Sequence, residues 1–260
     1  MKLLFFLLAL GTVVAQPTAT PAQELLNSTS NLDRLVSRSL VAKLPLTNIG
    51  PSVMSGRVTD IDVNPRAPHE FYVGYASGGL WYTTNNGTTF QPVMDNSPTQ
   101  NIGDIAVHWP THTIYVGTGE NNSSRSSYAG IGVLKSTDKG ASWQHIGLAD
   151  SHHIGKIEIN PTDPNEVIVG VTGHLYSSDN ARGIYKTTDG GKTWKRIYSG
   201  HGDYHDLWIN PDNSKNMIIS DDGGGEITFD NGSTWSSIYN MPTAQFYRVN
   251  VDNLFPYNLY

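Results

Sequence analysis

The sequence predicts an all-β fold, a propeller of four-stranded blades, on three observations. The first is an eight-residue turn that occurs four times: "TTNNGTTF" (83–90), "STDKGASW" (136–143), "TTDGGKTW" (187–194) and "TFDNGSTW" (228–235). All four fit one pattern of Ser/Thr, any, Asp/Asn, any, Gly, any, Ser/Thr, aromatic, and the Asp/Asn positions step by 53, 51 and 41 residues. Self-similarity at that period marks a propeller or a solenoid. The second is the context of each turn. An alternating strand ends in a Pro turn, a short apolar strand follows, then a Gly-containing loop and a third strand, and beyond the eight-residue turn a fourth. Four strands per period is one blade. The third is composition: 38% hydrophobic residues, 10% aromatic and 26 Gly suit short strands and tight turns better than long helices.

Along the chain, residues 1–15 read as a signal peptide, with Lys2 before the apolar run 3–14 and "VVA" ending at Ala15 as the cleavage site. The run is short for a membrane span, which needs roughly 20 apolar residues. The expected location is therefore secreted, periplasmic or at the cell surface, with no membrane span after cleavage. Residues 16–44 form a polar leader in which Leu25, Leu32, Leu35, Val36 and Leu40 sit at roughly helical spacing, as a short helix or a linker.

The propeller is expected over 45–260. Residues 45–49 align with the outer strand that precedes each inner strand, so they are expected to complete the last blade. The inner strands are "RVTDIDVNP" (57–65), "IGDIAVHWP" (102–110), "IGKIEINP" (154–161) and "HDLWINP" (205–211). The final stretch "QFYRVNVDNLFPYNLY" (245–260) starts a fifth blade and stops, giving four blades plus part of a fifth and the expectation that the chain is part of a longer protein.

Each turn has a structural chemistry. The Asp or Asn side chain (Asn85, Asp138, Asp189, Asp230) accepts hydrogen bonds from backbone N–H groups further on. Gly87, Gly140, Gly191 and Gly232 supply positive φ at no steric cost. Phe90, Trp143, Trp194 and Trp235 are expected to fold back under their own blades. The net charge of −6 makes no electrostatic case for nucleic acid, and the absence of Cys excludes disulfides and thiol chemistry.

Strand alternation puts the remaining loops on the face opposite these turns. Inter-blade loops and inner-strand starts bring Arg57, Asp104, His152, His153, Lys156, His201, Asp203, His205 and Asp206. Loops between second and third strands bring Glu120, Arg125, His174, Asp179, Arg182, Asp221 and Asp222. Catalytic candidates are Asp104, Glu120, Asp203, Asp206 and Asp222, because glycoside hydrolysis needs two carboxylates about 5–5.5 Å or 6.5–9.5 Å apart. Ligand-binding candidates are Arg57, Arg125, His152, His153, His201 and His205. His201, Asp203 and His205 alternate, either as metal ligands or as a polar network capping the strand. "SHH" (151–153) reads as a solvated loop and "SDDGGGE" (220–226) as a tight turn. No cofactor and no metal is assigned. Glycosylation sequons stand at Asn27, Asn86, Asn121, Asn122 and Asn231.

The four turns resemble the Asp-box, or BNR repeat, of sialidase-like and sortilin-like propellers. From about residue 46 onward, "NIGPSVMSGRVTDIDVNP", "YVGYASGGLWYTTNNGTTF", "YVGTGE", "GVLKSTDKGASW" and "GIYKTTDGGKTW" look like exported propellers related to the sortilin (VPS10) N-terminal domain, often labelled glycosyl hydrolase-like. That resemblance implies a propeller that binds a polypeptide or carbohydrate ligand. The chain is also similar to tandem-propeller xyloglucan hydrolases, whose catalytic Asp sits in an Asp-any-Gly-Gly turn of the first blade. The matching position is Ala76, in "YASGG", while the fourth blade keeps Asp222 in "DDGGG". The resemblance therefore leaves three readings open: a binding module, a glycoside hydrolase-like enzyme, or an N-terminal fragment without independent activity.

Overall fold

The computed structural model describes residues 18–44, 56–197, 204–221, 223–240, 250, 252–256 and 258. Among the described residues one α-helix, α1 (Ala22–Arg38), precedes a chain that is otherwise β apart from two short 3-10 turns. Pro21 opens α1, where a missing N–H costs nothing, and Glu24 in its first turn and Arg38 in its last suit the helix dipole. Leu25 and Leu26 pack on the first β core, whereas Leu32, Leu35, Val36 and Leu40 of the apolar stripe are exposed.

Four antiparallel sheets follow in chain order, and they are the blades of a β-propeller. The first is β1 (Val58–Val63), β2 (Phe71–Tyr75), β3 (Gly79–Thr83) and β4 (Gln91–Pro92). The second is β5 (Ile102–His108), β6 (Thr113–Thr118), β7 (Val133–Ser136) and β8 (Gln144–His145). The third is β9 (Ile154–Asn160), β10 (Asp163–Val171), β11 (Gly183–Thr187) and β12 (Lys195–Ile197). The fourth, among the described residues, is β13 (Tyr204–Ile209), β14 (Met217–Asp221) and β15 (Gly224–Thr228). The expected signal peptide, the outer strand expected at 45–49 and most of the expected partial fifth blade lie outside the described residues.

The described chain divides into two compact units. The first holds everything up to Ile157 together with Val171–Arg182; the second holds Glu158–Gly170 and everything from Gly183 on. The core of the first is built from Tyr72, Leu80, Ile102, Val107, Ile114 and Leu134 and their neighbours. That of the second is Ile168, Ile184, Ile197, Met217 and Ile219, with Leu207, Ile209 and Trp235 packed on it.

Two devices join successive blades. The register slips by one residue between Val58 and Asp60, between Ile102 and Asp104, and between Tyr204 and Asp206. A bulge re-aims the side chain that follows it. In the first unit those side chains reach forward to the next inner strand. Asp60 Oδ2 accepts the Ile105 N–H (3.4 Å), Asp104 Oδ2 accepts the Ile157 N–H (2.7 Å), and Asp62 accepts both the Val107 N–H and the Trp109 indole N–H (2.7 Å each).

The eight-residue turns are closed by their own side chains, and the second and fourth reach backward. In each, the first hydroxyl (Thr83, Ser136, Thr187, Thr228) donates to the Asx Oδ1 and accepts the Gly N–H, at 2.7–3.1 Å. The same Oδ1 accepts the N–H four residues on, at 2.8–2.9 Å. In the three Asp copies, Oδ2 also takes the hydroxyl of that residue. These bonds, the side-chain hydroxyl first, hold Asp138 and Asp230 down at about 2 and Asp189 lower still.

The closing aromatic of the second turn differs from expectation: Trp143 is half-buried and donates its indole N–H to the Val93 carbonyl of the preceding blade (2.8 Å), whereas Phe90 of the first turn meets Phe71 of its own blade. A Cβ on Gly140 would meet Val93 at 2.7 Å, and one on Gly232 would meet Ile197 at 2.8 Å, so each of these turns sits flush on the blade before it. The reason is non-local: the preceding blade offers the Val93 carbonyl as an acceptor for the indole N–H.

Candidate functional site

Three loops of the first unit converge at one end of their blades: the β6–β7 loop (119–132), the β8–β9 loop (146–153) and the β10–β11 loop (172–182). Gly119 makes the first of these possible. It has φ +84°, and a Cβ there would lie 1.8 Å from the His152 carbonyl. The Ile154 N–H donates to Gly119 O (3.1 Å) and the Gly130 N–H to His152 O (2.6 Å), so backbone ties the loops together.

Glu120 is the centre of the arrangement. It is 1% exposed. Its Oε2 accepts from Arg57 Nη2 (2.6 Å) and Ser127 Oγ (2.5 Å), and its Oε1 accepts the Asn122 N–H (3.0 Å). Arg57 Nη1 also donates to Ser126 (2.8 Å), and His153 Nδ1 meets the Glu120 carbonyl at 2.8 Å. A buried carboxylate bonded on both oxygens is the arrangement that makes burying its charge tolerable. The structure thus brings together Arg57, Glu120 and His153, and leaves Arg125 exposed on the same loop.

The "SHH" stretch is not a solvated loop. Ser151, His152 and His153 are all buried, because a short 3-10 turn (Ala149–Ser151) and a positive φ at His152 fold the segment inward under the neighbouring loops. The His152 ring stacks on His174 with centroids 3.6 Å apart at 21°. Burial pushes the imidazoles of His152 and His153 down from their ordinary range. His174 is held by Ser177 Oγ at Nδ1 (2.9 Å), and its backbone N–H donates to Asp179 (2.8 Å). Asp179 also takes the Ala181 and Arg182 N–H groups, which shapes the β10–β11 loop. Two tyrosines stand clear of this packed base: Tyr128 is 54% and Tyr176 58% exposed, with the Tyr176 hydroxyl donating to Ser124 O (2.7 Å).

Asp104 lies elsewhere, on β5, and is 5% exposed. Burial, then the charge of Asp60, pushes its carboxyl up to about 8, against the pull of Lys156 (3.8 Å) and the Ile157 N–H. Asp60 and Asp104 form an interacting carboxyl pair, which the sequence analysis does not single out. The signal was present: the two residues occupy the same column of the aligned inner strands. Asp206 is exposed and accepts the Leu207 N–H (2.9 Å). His201, Asp203 and Asp222 lie outside the described residues, as do the side chains of His205 and Asp221. Asp221 pairs with Gly224 across the β14–β15 hairpin. Ala76 is buried, its N–H bonded to Arg57 O (2.8 Å), and it places no carboxylate at that corner.

No protein-family model matches the chain. A protein of Neosartorya fischeri named as a probable oligoxyloglucan-reducing end-specific xyloglucanase is 30% identical over 137 residues, which is 50% of this chain and 15% of that one. Among solved structures, an ancestral GH74 enzyme superposes with a TM-score of 0.55 at 18% identity, over 70% of this chain and 24% of that one. The GH74 enzyme of Niastella koreensis gives 0.53 at 21% identity, over 68% and 28%. The GH74 xyloglucanase of Xanthomonas campestris gives 0.52 at 15%, over 68% and 29%. The chain spans less than a third of the length of each of these structures, and what it shares with them is the fold, so with its four-stranded antiparallel blades this chain is a β-propeller protein.

Proposed function

We propose that this chain is the ligand-binding part of an exported propeller that takes a carbohydrate chain across the 119–132 and 172–182 loops. The observation that carries the reading is the pair of exposed tyrosines, Tyr128 and Tyr176, set on a base that Glu120 and Arg57 hold rigid. Flat aromatic faces beside polar loop groups suit sugar rings, and a pre-shaped surface loses little entropy on binding. The name of the Neosartorya fischeri relative, a xyloglucanase, favours glycan over polypeptide. On this reading residues 1–15 direct export, 16–44 link, 45–260 belong to the propeller, and the four turns are Asp-boxes of the sialidase and sortilin type.

The test is calorimetry with xyloglucan oligosaccharides, unrelated glycans and unstructured peptides. Binding to a glycan should fall about tenfold in Tyr176→Ala while Tyr176→Phe retains most of it. Binding only to peptide, or glycan binding indifferent to both tyrosines, sinks the reading.

A second reading, glycoside hydrolysis, draws on one observation: Asp104 is a carboxyl raised to about 8, the property of a general acid. Against it, Asp104 is buried and bonded across to the next blade, and Glu120 has both oxygens engaged. Release of reducing sugar that Asp104→Asn abolishes would establish it.

A further inference from the structure

We infer that Asp150, His152 and His174 form a binding site for one divalent transition-metal ion of the zinc type. Among the described residues, this group alone brings three such donors together, each offering an atom within 4.8 Å of the others. It stands apart from the glycan-binding reading, which does not require it.

Three observations converge. His174 Nε2 and Asp150 Oδ1 are 3.4 Å apart, the edge expected of a tetrahedron whose metal–ligand bonds are about 2.0–2.2 Å. The His152 and His174 rings stack with centroids 3.6 Å apart, and each offers a nitrogen within 4.8 Å of the other's and of the Asp150 carboxylate. Finally, His152 Nε2 is buried without a hydrogen-bond partner, in a residue more than nine-tenths buried. A buried imidazole nitrogen left unbonded keeps its full desolvation penalty, and a metal ion is a partner that removes that cost.

The surroundings have the features that orient metal ligands. Ser177 Oγ meets His174 Nδ1 at 2.9 Å and can hold the ring proton there, while Nε2 lies 3.2 Å from the Asp150 carbonyl oxygen, a contact that a metal ion on Nε2 would replace. Asp179 fixes the His174 backbone. Asp150 is exposed, so an ion can reach the site from its side. Two imidazoles and a carboxylate suit Zn²⁺, Co²⁺, Ni²⁺ or Cu²⁺ rather than Ca²⁺ or Mg²⁺, which prefer all-oxygen shells. The set also leaves one tetrahedral position open at the end of the blades that carries Tyr176.

The experiment uses the untagged full chain, stripped with chelator, and titrates Zn²⁺ by calorimetry with Co²⁺ as a spectroscopic probe. The expected result is one equivalent bound and intense visible Co²⁺ bands of four-coordinate geometry. His174→Gln and Asp150→Asn should each weaken Zn²⁺ at least about tenfold. His112→Ala should bind as the parent does. Because Asp150 is exposed, Asp150→Asn should fold even if a histidine variant does not. Absence of stoichiometric binding, binding undiminished in Asp150→Asn and His174→Gln, or Ca²⁺ bound in preference to Zn²⁺ each overturns the inference.

Discussion

Strands β1 and β5 are the same element written twice, yet one is exposed and the other buried. "VTDIDV" and "IGDIAVH" align residue for residue, with the same bulge and the same forward-reaching aspartate. All seven residues of β5 are buried, while Val58, Ile61 and Val63 of β1 are roughly half exposed. The difference is not in propensity. β5 lies between β1 on one side and Ile154–Ile157 of β9 on the other, and β1 has such a neighbour on one side only among the described residues. Burial in this fold belongs to the pair of blades, and a strand sequence alone does not contain it.

The comparison is broken most severely at the bulge. β1 carries Thr59 where β5 carries Gly103. A Cβ at Gly103 would fall 1.8 Å from Ile154 O and 2.5 Å from Gly119 O, both backbone. Gly103→Thr should therefore cost about 3 kcal/mol or more, or prevent folding, while Thr59→Gly should cost only about 1 kcal/mol. Urea midpoints measure both, and similar losses at the two sites would refute the account. Next comes Asp62→Ala, which strands the Val107 N–H and the Trp109 indole N–H and should cost about 2 kcal/mol. An unchanged midpoint would mean that water reaches both donors.

Asp104 sharpens the comparison through pH. Its carboxyl sits at about 8 in the fold against an ordinary 3.8, because of burial and then Asp60. Between those values the folded chain holds a proton that the unfolded chain has lost, so stability falls as pH rises through this window. Asp104→Asn keeps an acceptor for Ile157 and cannot ionise. It should flatten that slope and raise Tm at pH 8 by about 2–4 °C. An unchanged slope would show that Asp104 ionises freely. The smallest effect belongs to the turns: Trp143→Phe loses the bond to Val93, about 1 kcal/mol, while Phe90→Trp gains nothing, since Phe90 packs on Phe71 of its own blade. A stabilised Phe90→Trp variant would contradict the docking explanation.

The turns were legible in the sequence because their chemistry is local: Thr, Asx, Gly and Thr bond one another within eight residues. The strands were legible through alternation. The docking of Trp143 on Val93 was not, since nothing local distinguishes an aromatic that folds inward from one that leans backward. The site was half legible. Arg57, Glu120, His152 and His153 were assigned to one face, but "SHH" looks solvated because its polarity is local and its burial comes from loops distant in the chain. The stack of His152 on His174 joins positions in separate loops of unrelated local sequence, so it needed the fold to be seen.

The backward lean of the turns has a directional consequence. Trp143 needs Val93, and Gly232 needs Ile197; in each case the receiving surface lies earlier in the chain than the part that docks. A polypeptide emerging N-terminus first therefore finds each landing place already made. At these two joints assembly can keep pace with synthesis, the earlier strand templating the turn that docks on it.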